Sequence, residues 1–136
     1  MGGFDAGEAQ RQLFSKGVEL RSRVLGQAHV AADGALDLDS ATDLRQLMTT
    51  VGWGTIWQRD GFDLRTRSLV TVAMLIALNR PHELATHFRG ALNNGATEPE
   101  LRETVIQAIL YCGFPAAIDA DRVLDEVFLR RTGEDA

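Results

Sequence analysis

Residues 52–97, GWGTIWQRDGFDLRTRSLVTVAMLIALNRPHELATHFRGALNNGAT, decide how the rest of the chain is read. At their centre, Leu64–Leu78 is apolar on most sides after Ser68, the pattern of a helix enclosed by others. Asp63 is placed to cap its start and Asn79 to end it. Pro81 then fits the first turn of a further helix, where its missing N–H has no intrahelical acceptor anyway. Gly95 closes that helix as a left-handed cap. Around this frame stand Trp53, Trp57, Arg59, Arg65, Arg67, Arg80, Arg89, His87 and the pair Asn93-Asn94. Polar groups beside helices this apolar are either solvated or held for a purpose.

The same signals continue outward. A first helix runs from about Ala6 to Leu25 and stops at Gly26. Residues 27–38 read as a connector, with Asp33-Gly34 as a turn. Ser40 or Asp39 caps a second helix near 41–58, in which Gly52 and Gly54 predict a weak point or a break. Thr97 and Glu100 form a capping box for a fifth helix, 98–112. Gly113 and Pro115 open a sixth, ending near Arg130, with a frayed tail over 132–136. Strand alternation and internal repeats are missing from the pattern. The reading is one all-α domain of six helices over 1–136, with its helical core at about 6–130.

Composition narrows the classes. A net charge of −5 argues against a nucleic-acid partner, because phosphate binding wants a basic face. The longest apolar run, around 69–78, is too short to span a bilayer. The start, MGGFDAGEAQRQ, lacks the basic-then-apolar pattern of a signal peptide, and Cys112 is the one cysteine. These features predict a cytoplasmic chain.

Candidate chemistry centres on His87. Glu83 lies four residues before it, on the same helical face. A carboxylate beside an imidazole raises its proton affinity and fixes its tautomer, which suits a proton donor. Spacing alone favours an exposed pair that merely steadies the helix, although the small residues Gly90 and Ala91 one turn on leave room for a ligand. His82 and His87 are five apart and so turned away from each other, which speaks against a metal site. Among the arginines, Arg67 at the start of the apolar helix and Arg89 beside His87 are the better candidates for meeting a carboxylate. Trp53 and Trp57 can stack on one helical face, as core, as an interface or as the wall of a flat pocket. Asn93-Asn94-Gly95 is a helix ending in which one asparagine is free to bind substrate.

The words RSLVTVAMLIAL (67–78), HFRGALNNGAT (87–97) and GWGTIWQRDGF (52–62) together resemble the carboxymuconolactone decarboxylase family, over about 16–128. The resemblance implies a small all-helical fold of the alkylhydroperoxidase-like superfamily, assembled into homo-oligomers, trimer or hexamer. Peroxidases of that superfamily carry a glutamate, eleven residues, C-x-x-C, three residues and a histidine. With that histidine at His87, the cysteine positions hold Arg80 and Glu83 and the glutamate position holds Ser68, so a thiol peroxidase is not implied. The acidic run 118–122 departs from the family's pattern.

The activity implied is cofactor-independent decarboxylation of 4-carboxymuconolactone to β-ketoadipate enol-lactone, in protocatechuate catabolism. Its site would use His87, Glu83 and Arg67 in catalysis, with Arg89, Ser68, Trp53, Trp57 and Asn94 around a dicarboxylate lactone, and no metal. A related enzyme acting on another lactone or keto acid, and a non-catalytic helical oligomer, stay open on the sequence.

Overall fold

A computed structural model describes residues 6–34 and 36–134. Among these residues every regular element is helical. The elements are α1 (Ala6–Leu25), α2 (Gln27–Ala32), α3 (Asp43–Leu47), a π-helical segment (Met48–Ile56), α4 (Leu64–Ala77), α5 (Pro81–Asn93), α6 (Glu98–Cys112) and α7 (Phe114–Glu134). They form two compact units, Met1–Gly61 and Phe62–Ala136.

In the first unit α1 packs along the π segment. Two glycines make the approach possible. A Cβ at Gly17 would collide with the Thr49 carbonyl, and one at Gly54 with the Leu13 carbonyl. Val24, Leu25, Val30 and Trp53 form the core beneath this seam, with Leu20 and Trp57 against it. The break predicted at Gly52 and Gly54 is instead a widened helix. The Trp57 N–H donates to the Gly52 carbonyl at 2.8 Å, five residues back. Side chains attend the widened turns: Thr50 Oγ1 donates to the Gln46 carbonyl (2.7 Å) and Thr55 Oγ1 to that of Thr50 (2.9 Å).

The predicted connector also differs, since its first half forms α2 and buries Val30. Gly26, at φ 97°, stops α1 as expected, and the alanine-rich chain restarts at once. Asp33 fastens the result. It accepts from the buried guanidinium of Arg21, with Arg45 Nη1 at 3.6 Å and His29 Nε2 at 4.0 Å.

In the second unit α4 packs against α5, α6 and α7, as its apolar sequence predicts. Asp63 caps it, its Oδ1 accepting from the Thr66 N–H at 2.7 Å. Asn79 (φ 54°) and Gly95 (φ 96°) take the left-handed turns that end α4 and α5. The Thr97–Glu100 capping box is complete. Phe88, Ile76, Leu101 and Leu124 are the largest fully buried side chains here. α7 stays helical through Glu134, past the predicted end near Arg130, and the last two residues of the predicted frayed tail lie outside the described residues.

The acidic run has a structural partner. Arg102 on α6 reaches Asp121 and Asp125 on α7 at 2.7 Å each and Glu98 at 3.3 Å. Desolvation opposes its charge, but hydrogen bonds to the three carboxylates outweigh that and hold its pKa above the ordinary value.

Candidate active site

α4, α5 and their caps carry the sequence-predicted polar residues of the second unit. Ser68, in the first turns of α4, is fully buried. Its Oγ accepts from Nδ2 of Asn94 at 2.9 Å, and the same nitrogen lies 3.4 Å from the Leu64 carbonyl. Asn94 is thus the residue that closes α5 and ties it to the start of α4. Arg67, half-buried, precedes Ser68, with its guanidinium carbon 5.5 Å from the centre of the Phe62 ring. An aromatic face near a cation holds it without neutralising it. Thr71 Oγ1 donates to the Arg67 carbonyl at 2.8 Å, one turn on.

His87 is half-buried midway along α5, and Glu83 is exposed in its first turn. Seven residues separate His87 from Asn94, two turns and about 10 Å along the axis, so both lie on one face of α5. Arg89 is half-buried two residues beyond His87. Glu83 lies about three turns before Asn94, at the helix N-terminus, where the peptide dipoles favour a carboxylate. Arg80, at one cysteine position of the peroxidase pattern, flanks the start of α5, while Cys112 ends α6.

The tryptophans belong to the first unit. Their rings stack at 4.6 Å between centroids and 15° between planes, Trp53 buried and Trp57 half-buried. The widened helix turns this i,i+4 pair into a nearly parallel stack.

Sequence reasoning missed Phe62 and the pair Arg65–Glu100. Arg65 Nε donates to Glu100 Oε2 at 3.1 Å and its Nη2 donates to Oε1, a two-toothed contact between α4 and α6. Oε2 also accepts the Thr97 N–H at 3.1 Å, within the capping box. The hydrogen bonds from Arg65 and from Thr97 hold the Glu100 carboxyl below the usual carboxylate range. Glu100 was legible as a cap; its second role joins residues 35 apart, which no local pattern encodes.

The second unit thus gathers a Ser–Asn hydrogen bond, a half-buried histidine and half-buried arginines on one pair of helices. The sequence pattern of the carboxymuconolactone decarboxylase family matches residues 42–126, and the chain belongs to that family. It is 40% identical over 117 residues to the 4-carboxymuconolactone decarboxylase of Acinetobacter baylyi, covering 86% of this chain and 87% of that protein. It is 44% identical over 117 residues to the nitrosuccinic acid decarboxylase of Metarhizium robertsii, covering 83% of this chain and 79% of that one.

Proposed function

We propose that this carboxy-lyase decarboxylates 4-carboxymuconolactone to β-ketoadipate enol-lactone in cytoplasmic aromatic catabolism. The observation that carries the reading is the 40% identity to a 4-carboxymuconolactone decarboxylase across most of both chains. Substrate chemistry explains why the protein's own side chains suffice. The bond to the departing carboxylate breaks, CO2 leaves, and the electron pair moves through the ring alkene onto the lactone carbonyl oxygen. The substrate is its own electron sink. The protein must hold the carboxylates, stabilise the developing enolate oxygen and return one proton to carbon.

Arg67 and Arg89 fit the first task, as half-buried cations that bind carboxylates through paired N–H groups. Asn94 and Ser68 shape the polar end of the site, with their own hydrogen bond fixing both rotamers. His87 returns the proton, with Glu83 one turn before it on the same helical face.

A second substrate class is favoured by the 44% identity to a nitrosuccinic acid decarboxylase. Nitrosuccinic acid is also a dicarboxylic acid with a group that can take up the electron pair, here a nitro group. The same arginines and the same proton donor would serve it.

The working form is a homo-oligomer, trimer or hexamer. On the second unit Leu110 is 74% and Tyr111 79% exposed, followed by Phe114 at 64%, an apolar edge suited to a second copy of the chain.

Incubation with 4-carboxymuconolactone, and separately with 2-nitrosuccinate, followed by CO2 release, tests the reading. Turnover of the lactone is expected, unchanged by EDTA and in Cys112→Ser. Turnover of nitrosuccinate alone would transfer the assignment to the second class, and turnover of neither would leave the oligomeric scaffold as the remaining reading.

A further inference from the structure

The first turn of α4 is tied down on two sides. Toward α5, Asn94 Nδ2 reaches Ser68 Oγ at 2.9 Å and the Leu64 carbonyl at 3.4 Å. Toward α6, Arg65 Nε reaches Glu100 Oε2 at 3.1 Å, and its Nη2 makes the second tooth of the fork. Glu100 is itself immobilised, because Oε2 also accepts the Thr97 N–H that begins α6. Arg65 is therefore committed to a carboxylate of its own protein. Two residues on, the Arg67 guanidinium lies against the Phe62 ring.

Residues two positions apart on a helix stand about 160° apart around the axis, so Arg65 and Arg67 leave α4 on nearly opposite sides. Any roll of this turn that loosens Arg65 from Glu100 swings Arg67 by the same angle. A guanidinium on a long side chain magnifies the movement. A fork with two parallel N–H···O contacts resists roll in a way that a single point contact does not.

We propose that Arg65 and Glu100 are positioning residues, whose forked pairing between α4 and α6 sets the roll of the first turn of α4 and so the placement of the Arg67 guanidinium. The proposal rests on the reading that Arg67 meets a substrate carboxylate. Glu100→Gln keeps an acceptor for the Thr97 N–H but turns an N–H2 group toward Arg65. Arg65→Lys keeps the charge and loses the fork.

The test is a double-mutant cycle with 4-carboxymuconolactone. In an otherwise unchanged protein, Glu100→Gln and Arg65→Lys should each raise KM about tenfold, the scale of a modestly misplaced binding group, with kcat changed far less. In an Arg67→Ala background the same changes should add almost nothing. Equal effects in both backgrounds, or no effect with Arg67 present, would overturn the proposal. A second readout is independent of turnover. The Arg67 Nε–H cross-peak in a 15N spectrum, assigned by its loss in Arg67→Lys, should move in Glu100→Gln while the far-UV helical signal stays constant. An unmoved peak sinks the positioning role whatever the kinetics show. If the peak moves but Arg67→Ala leaves KM unchanged, the positioning role stands and the substrate-binding reading of Arg67 fails.

Discussion

His87 and Arg67 occupy different helices of one unit, and the roles proposed for them differ in what a substitution removes. A proton donor acts in the transition state, where general acid catalysis contributes about 10²–10⁴-fold. His87→Ala should therefore lower kcat within that range and leave the helical signal intact. Glu83 is exposed, so water screens its influence on the imidazole, and Glu83→Gln should cost much less than His87→Ala. Arg67 and Arg89 meet a charge that the bound substrate already carries. Arg67→Ala or Arg89→Ala should accordingly raise KM more than it lowers kcat. Steady-state kinetics on the four variants checks the set. Wild-type turnover in His87→Ala would move the proton donor elsewhere. The candidates for these roles were legible because histidine and arginine beside an apolar helix are conspicuous in sequence. Their supports were not. Phe62 under Arg67 and Ser68 against Asn94 are tertiary facts, the latter between residues 26 apart.

Helix ends were the most legible elements, because a cap is a contact within four residues. Asp63, the Thr97–Glu100 box, Asn79 and Gly95 all act where the sequence places them. The π segment was less legible, since what selects it is the neighbouring helix. Gly52 and Gly54 look alike in sequence, yet only Gly54 faces α1. A Cβ at Gly54 meets the Leu13 carbonyl, whereas one at Gly52 meets nothing within 4 Å. Gly54→Ala should therefore destabilise by about 1–3 kcal/mol, the usual cost of overpacking, and should perturb the near-UV signal of the stacked tryptophans. Gly52→Ala should be neutral or stabilising by up to about 1 kcal/mol, through helix propensity. Thermal or urea unfolding of the pair decides it, and equal losses would mean that the seam is not what selects the glycines.

The clasps between elements also set the molecule's response to acid. Burial opposes ionisation of Asp33, but the Arg21 hydrogen bond and the charges of Arg21, His29 and Arg45 outweigh it, leaving the carboxyl below its ordinary pKa. Hydrogen bonding from Thr66 does the same for Asp63, and bonds from Arg65 and Thr97 do it for Glu100. A carboxyl depressed in the folded state contributes stability in full above its unfolded pKa, about 3.9 for Asp and 4.3 for Glu. That stability is lost as pH falls through the lower folded value. The thermal midpoint should thus hold steady from pH 7 to about 5 and fall below about pH 4. Asp33→Asn should lower it at neutral pH, because Arg21 stays buried without its countercharge, and should flatten the fall in acid.

Assembly is the remaining property at this scale. The apolar edge of Leu110, Tyr111 and Phe114 continues to Ile118, 54% exposed, one turn into α7. Tyr111 also lines a 560 Å³ groove between α4 and α6 with Leu69, Ala73 and Ala108. Charge is scarce here: among the described residues Glu100 and Glu103 are the acidic side chains that line the groove, and Glu100 is already paired with Arg65. A surface of this kind gains by excluding water against another copy of itself. Light scattering at micromolar concentration should therefore report a multiple of the 14.9 kDa chain. Leu110→Glu places a charge on that edge without touching the buried core, so it should shift the population to monomer while the helical signal persists. A wild-type protein that scatters as a monomer, or a Leu110→Glu protein that stays assembled, would remove this edge from the interface.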